Sequence, residues 1–365
     1  MGPWTFLLTA GLATQPMAAN ARSSDHHRAA VIAHAQVWEA TDIPSMDLKT
    51  GPKGEKAFAF KETVECTYLN KQLPGKTRKF ACRRGQNDEL KVKYGGDNAE
   101  VHAEVVATRL LWALGFGADR QYSVRVICHG CPEAFGGIAR GPQVSVIDPA
   151  MIERKMPGVS FAPVDGWAWN ELDLVDEHAG GAPRAQRDAL KLLAAFMQHT
   201  DNKAEQQRLI CRDQSKTKPA GQAPAQNGEM PCEHPFMYLH DVGLTFGRAN
   251  RLNHDDIGGM NLVEWSRTPV WKDTAACVGN LPKSFTGTLV DPPISEDGRR
   301  FLADLLVQLS DEQIRGMFEA ARVQLRLRNQ TDVFSGFATV DEWVQAFKAK
   351  RDQIVNRRCS ASTSP

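Results

Sequence analysis

Residues 184–243 constrain the fold of this chain more than any other stretch. Leu190, Leu193, Ala194 and Met197 recur at i, i+3, i+4 and i+7, which predicts a helix from Arg184 to Gln198 behind the breaker Gly180-Gly181-Ala182-Pro183. The helix runs out into a polar segment, His199-Thr200-Asp201-Asn202-Lys203-Ala204-Glu205-Gln206. Two strand-like runs follow, Arg208 to Cys211 and Phe236 to His240, and the second leads straight into Asp241-Val242-Gly243. The stretch between them, 213–235, is rich in Lys, Pro, Gly, Ala and Gln and reads as a surface insertion without a core of its own.

The side chains so arranged suit one kind of chemistry. A carboxylate, a Lys two residues on, an amide five residues on and a second carboxylate beside Gly are what phosphoryl transfer uses. The first Asp orients an acceptor hydroxyl, while the amide oxygen and the second Asp hold a divalent cation under a triphosphate. The segment resembles the protein-kinase catalytic loop His-Arg-Asp-x-Lys-x-x-Asn at His199, Asp201 and Lys203, with Gln206 where Asn is expected. Asp241-Val242-Gly243 resembles Asp-Phe-Gly. Each piece alone is common in loops, so order and spacing carry the resemblance.

The upstream half supplies the rest of the pattern. Ala57 to Leu69 and Arg78 to Arg83 read as a hairpin, with Glu89 to Tyr94 and Tyr122 to Cys128 as third and fourth strands. Gly75-Lys76-Thr77 in the first turn is not a Walker phosphate loop, because Asn70 stands where the earlier Gly is required and a strand, not a helix, follows. The turn can still lie over nucleotide phosphates, as the glycine-rich hairpin of kinases does. Alternation puts Lys91 and Lys93 on one strand face, and Lys93 is the residue expected to grip phosphate. A helix from Ala99 to Leu114 carries the stripe Val101, Val105, Thr108, Leu111 and Trp112, with Glu104 inside its arc. A carboxylate there needs a partner, or must snorkel to water at the stripe's edge.

The stretch from Glu104 to Leu114-Gly115 resembles HipA-type and type II phosphatidylinositol 4-kinase sequences. That resemblance implies an α+β, two-lobed protein-kinase-like fold, with a small antiparallel sheet plus one helix and a larger, mostly helical lobe. It implies ATP and Mg²⁺ or Mn²⁺ as cofactors. Asp201 and Lys203 take the catalytic positions, Lys93 and Glu104 the nucleotide-binding ones, and Gln206 and Asp241 the metal ones. The expected boundaries are an N-terminal extension at 22–56, a small lobe at 57–165, and a large lobe at 166–359 that contains the insertion. The hinge falls between 132 and 183, where Trp167 and Trp169 stack on a base or fill the gap between lobes. Residues 360–365 read as a disordered tail.

Two other readings use the same residues: a catalytically silent pseudokinase scaffold, or AMP transfer on the same fold. The acceptor, whether protein, lipid or small molecule, is not specified by the sequence.

Composition narrows the setting. With 44 Lys and Arg against 43 Asp and Glu in 365 residues, the net charge is +1, and nothing points to nucleic acid or a membrane surface. The sequence has no apolar run long enough to span a bilayer. Trp4 to Ala13 followed by Pro16-Met17-Ala18-Ala19-Asn20-Ala21 resembles an export signal over 1–21, without the usual positive start. The eight cysteines form an even set. Cys66 and Cys82 lie equidistant from Pro74, within disulfide reach across the hairpin. Cys211 and Cys232 bracket the insertion. Cys128 and Cys131, with one His between them, offer too few ligands for a closed zinc site and read as a local bridge. These features favour a periplasmic or secreted protein; the alternative is a cytoplasmic one with eight buried thiols. Ser310-x-x-Gln313 and Thr339-x-x-Glu342 are capping boxes that start helices at about 311–328 and 340–356, after another at about 296–309.

Overall fold

A computed structural model describes residues 28–132, 138–139, 144–161, 166–213 and 232–359. The export-signal pattern, nearly all of the insertion and the 360–365 tail lie outside the described residues.

The chain begins its sheet with β1 (Thr63–Leu69), β2 (Lys79–Arg84) and β3 (Asp88–Tyr94), consecutive antiparallel strands. Helix α1 (Ala99–Ala113) then crosses to β4 (Arg120–His129), and the short β5 (Ile138–Ala139) and long β6 (Val144–Arg154) complete the set. A simple antiparallel sheet is the expectation; two pairings depart from it. β1 and β4 run parallel, from Thr63 opposite Arg125 to Thr67 opposite His129, because the α1 crossover returns the chain in the same direction. β3 also pairs with β6 through Val92–Ile152 and Tyr94–Ala150, which closes β3-β2-β1-β4-β6 into a five-stranded barrel. Closure leaves no free edge among those strands. Phe80, Leu90, Val92, Tyr122, Val124 and Ile152 pack inside.

Asn98 caps α1 by accepting the Glu100 N–H at 3.2 Å. The sequence suggests one apolar stripe on this helix, yet nearly every residue is buried, Ala103, Val106, Ala107 and Leu110 included. The barrel wall covers one side, and the helix Asp311–Ala320 covers another. The helix stops at Gly115, whose φ of +82° and 2.1 Å approach to the Glu39 carbonyl at the Cβ position exclude any side chain.

Beyond the barrel lies α2 (Arg184–Met197), ended by Gln198 in a left-handed conformation. The Gln198 amide offsets that strain by bonding Ala195 O, Asn280 O and the Ala249 N–H. β7 (Val159–Ser160), β8 (Gln207–Cys211) and β9 (Pro235–Leu239) form a separate small sheet. Of three further helices, α3 (Glu296–Leu306) packs along α2, α5 (Val340–Val355) packs against α3 and α4 (Asp311–Ala320), and α4 reaches α1. Both expected capping boxes form, at Ser310 and Thr339. α4 ends well before 328 because Arg322 adopts a left-handed φ of 56°. Phe196, Phe246, Trp265, Phe318, Trp343 and Phe347 make an aromatic core, with Phe318 stacked on Trp343 at 5.4 Å between centroids. Trp167 and Trp169 are fully buried against each other at 5.3 Å, so they fill the interior and present no face to a base.

Four disulfides join Cys66–Cys82, Cys128–Cys131, Cys211–Cys232 and Cys277–Cys359. Cys66 and Cys82 bridge diagonally and not face to face, because Tyr68 opposite Cys82 centres the hairpin on Gly75, one residue past Pro74.

Candidate active site around Lys93, Asp201 and Asp241

β3 turns the Lys93 side chain away from solvent, and only 2% of the residue is exposed. Its ammonium donates to Glu104 Oε1 at 2.5 Å and to Glu100 Oε2 at 2.6 Å, both from the first two turns of α1. The snorkelling alternative for Glu104 is thereby ruled out: the residue is 1% exposed and its Oε1 is paired. Lys91 points to the neighbouring Glu153 instead, at 2.6 Å. Glu100, Glu104 and Asp241 each place a carboxylate oxygen within 4.8 Å of the others. Three acids around one ammonium leave excess negative charge.

The electrostatics divide that charge unevenly. For Lys93, burial opposes the charged form, but Glu104, Asp241 and Glu100 outweigh it and push the pKa well above the usual lysine value. Burial raises Glu104, with Lys93 opposing and Asp241 and Glu100 adding to the rise. Asp241 is only half-buried, and although desolvation opposes its charge, Lys93, His240 and the Gly243 N–H hold its carboxyl well below the usual range. Asp241 is therefore held ionised beside Glu104, whose carboxyl is pushed the other way.

The polar segment after α2 forms the other wall. Asp201 receives three donors: Lys203 Nζ at 3.0 Å and Gln206 Nε2 at 2.8 Å on one oxygen, and Asn253 Nδ2 at 3.1 Å on the other. The β8–β9 hairpin, in register from Gln207–Leu239 to Cys211–Pro235, brings this wall to Asp241. At its end, the Gln206 carbonyl accepts the His240 and Asp241 N–H groups at 2.8 and 3.1 Å. Asp201, Lys203, Gln206 and Asp241 thus meet at one hairpin end, and Asp241, with an oxygen within 4.8 Å of Glu100 and Glu104 and its charge felt at Lys93, borders both walls.

The segment is anchored from behind by Asn202, which is fully buried. Its amide donates to His199 O at 2.9 Å and accepts the Thr288 and Leu289 N–H groups at 2.8 Å each. His199 is buried with both ring nitrogens unpartnered among the described residues, and burial pushes it down to about 4, so it is neutral.

The donor set fits a hard divalent cation. Asp241 offers an ionised carboxylate, Gln206 an amide oxygen, and Glu104 Oε2 is buried without a hydrogen-bond partner among the described residues. As placed, the Gln206 amide nitrogen faces Asp201, so its oxygen is the atom left for a ligand.

Sequence reasoning missed Glu100, Asn202, Asn253 and Lys79. Glu100 had a signal, since it precedes Glu104 by one helical turn and shares its face. Lys79 could have been found from the hairpin register, which sets it opposite Lys93. Asn253 had none, because its contact with Asp201 depends on a loop folding back over 52 residues.

A second charged cluster lies behind His240. Asp119, with its side chain fully buried, accepts from His240 at 2.6 Å, Lys155 at 3.2 Å and the Met156 N–H at 2.8 Å. Lys155 also pairs with Glu153 at 2.5 Å, so an ammonium already occupies the centre of the cluster.

No family model matches the chain, and no curated protein matches it. Among solved structures, the chain is similar to the crystal structure of a Helicobacter pylori proinflammatory kinase, CtkA, at 10% identity and a TM-score of 0.42. The alignment covers 81% of this chain and 95% of that one.

Proposed function

We propose that the protein is an ATP- and divalent-metal-dependent phosphotransferase of two-lobed, kinase-like design. The barrel with α1 serves as the small lobe, and the described residues from 166 onward serve as the large one. The observation that carries the reading is the convergence of the Lys93–Glu104 pair, Asp241 and the Asp201–Lys203–Gln206 group on one site.

In this reading Lys93, held by Glu104, grips the nucleotide phosphates, and the turn at 74–77 lies over them. Asp241 and the Gln206 amide oxygen would hold Mg²⁺ or Mn²⁺, which when bound neutralises charge on the phosphates. Asp201 accepts the proton of the acceptor hydroxyl as that oxygen bonds to the γ-phosphorus and the β,γ-bridging bond breaks, leaving ADP. Lys203, beside Asp201, steadies the transferred group. The chain would cross between lobes at about 155–161, where β6 ends and β7 begins. Four disulfides support an oxidising compartment, periplasmic or secreted, and among the described residues no helix is long and apolar enough to cross a membrane.

Incubation with ATP labelled at the γ or the α phosphate tests the reading. Transfer of γ label that disappears in Asp241→Ala is the expected result. Transfer of α label would mean nucleotidyl transfer, and neither label would leave a nucleotide-binding scaffold.

A further inference from the structure

Lys79 stands directly opposite Lys93 in the β2–β3 ladder, and Lys91 stands opposite Ala81 two residues along. Like charges facing each other across an antiparallel pair destabilise it. Two of these lysines are compensated, Lys93 by Glu100 and Glu104 and Lys91 by Glu153. Lys79 is half-buried and has no carboxylate within ion-pair distance among the described residues. Burial, then Lys93 and Lys91, pull its pKa below the usual lysine value, and Glu100 and Asp241 only partly offset them.

A surplus lysine on a strand would be expected to swing its head into water. This one folds back, with Nζ 2.7 Å from the point where a Cβ on Gly75 would stand. Gly75, at φ +88°, is thus what lets the ammonium tuck under the turn between β1 and β2. The same turn is tied down toward Lys93, because the Thr77 hydroxyl donates to Glu100, which in turn accepts from Lys93. A cation only partly compensated is therefore held where the turn, Lys93 and the Asp241 side of the site meet.

We propose that Lys79 and Lys93 together grip the terminal phosphates of a nucleoside triphosphate, with Lys79 closing on the polyphosphate from the turn side. This rests on the phosphotransferase reading and adds a residue to it. The empty protein bears the repulsion between Lys79 and its neighbours, and a bound polyanion relieves it. Removing the Lys79 charge therefore stabilises the empty protein and weakens polyphosphate binding, whereas a merely structural lysine would lose both together.

The test uses the full oxidised chain. It compares the unliganded melting temperature and the Kd for ATP with Mg²⁺, inorganic tripolyphosphate and AMP in wild type, Lys79→Met, Lys79→Arg and Lys93→Met. Lys79→Met is expected to melt at or above the wild-type temperature and to bind ATP and tripolyphosphate about tenfold more weakly, a typical loss for one charge-assisted contact. AMP binding should stay the same, and Lys79→Arg should recover most of the loss. If Lys79→Met binds both polyphosphates like wild type while Lys93→Met does not, Lys79 has no such role and the phosphotransferase reading stands. Equal weakening toward AMP and tripolyphosphate with a lowered melting temperature would make Lys79 structural and overturn the proposal. Wild type that binds neither ATP nor tripolyphosphate would end both.

Discussion

The main-chain carbonyl of Gln206 accepts the N–H of Asp241 at 3.1 Å. One peptide group thereby joins the end of the polar segment to the start of Asp241-Val242-Gly243, independent of either side chain. Asp241→Asn should keep this backbone link and the fold, while losing the ionised oxygen on which the proposed cation site depends. Phosphoryl transfer is expected to fall by on the order of a hundredfold or more with an unchanged circular dichroism spectrum. Activity within a few-fold of wild type would refute the metal assignment.

Gln206→Asn restores the residue that the kinase pattern carries, yet it should not restore activity. The longer side chain reaches Asp201 at 2.8 Å, and shortening it by one methylene breaks that contact. A displacement near 1 Å at such a site costs about a hundredfold in rate, and turnover measured side by side shows which way the substitution acts. A faster variant would mean that Gln206 is a degraded ligand and not an adapted one.

Lys93→Met leaves Glu104 and Glu100 without their shared ammonium inside the protein. Breaking a buried pair from one side costs about 3–5 kcal/mol. Lys93→Met combined with Glu104→Leu should recover much of that loss in urea unfolding while remaining unable to bind ATP. If the double variant is as unstable as the sum of the singles, the two side chains are not coupled.

Lys350 provides a pH test remote from the site. It is 1% exposed, donates to Trp265 O and Thr268 O at 3.2 and 2.6 Å, and burial pushes its pKa down to about 7 from 10.5. Between those two values the unfolded chain holds a proton that the folded one has released, so this lysine's contribution to stability rises with pH across that window. The slope is about 1.4 kcal/mol per pH unit. Urea unfolding of wild type and Lys350→Met at pH 7 and pH 9 should show that rise in wild type alone; parallel curves would place the folded pKa near the ordinary value.

The Cys277–Cys359 bridge links residues 82 apart and fastens the chain after α5 to the turn between the short strands Trp271–Asp273 and Val278–Gly279. Cross-linking a loop of that length stabilises by about 4.5 kcal/mol in the chain-entropy account. Cys277→Ser with Cys359→Ser should lower the unfolding midpoint accordingly, with ATP binding retained because the bridge does not touch Lys93 or Asp241. Thiol counting on unreduced, denatured protein should find no free cysteine.

The local sequence was enough to place most elements. Apolar recurrence at Leu190, Leu193, Ala194 and Met197 marks α2, since a helix buries one face whatever it packs against. The Ser310 and Thr339 caps mark two helix starts, because capping is settled within four residues. Glu104 on an apolar arc announces a buried acid in need of a cation. The sequence also brackets the insertion with two cysteines.

Other features depend on contacts that no local pattern encodes. Closure of the barrel through β3 and β6 depends on strand edges about 60 residues apart finding each other. The parallel β1–β4 pairing depends on where α1 returns the chain. Asn202 reads as an ordinary loop residue until the 288–289 backbone arrives to occupy its amide. Residue types and short-range periodicity therefore set which side chains are available and on which elements. Only the packed chain decided that Lys93 serves two acids, that Asp201 accepts three donors, and that Lys79 has no ion-pair partner among the described residues, because each is a sum of long-range distances and desolvation that a linear pattern does not contain.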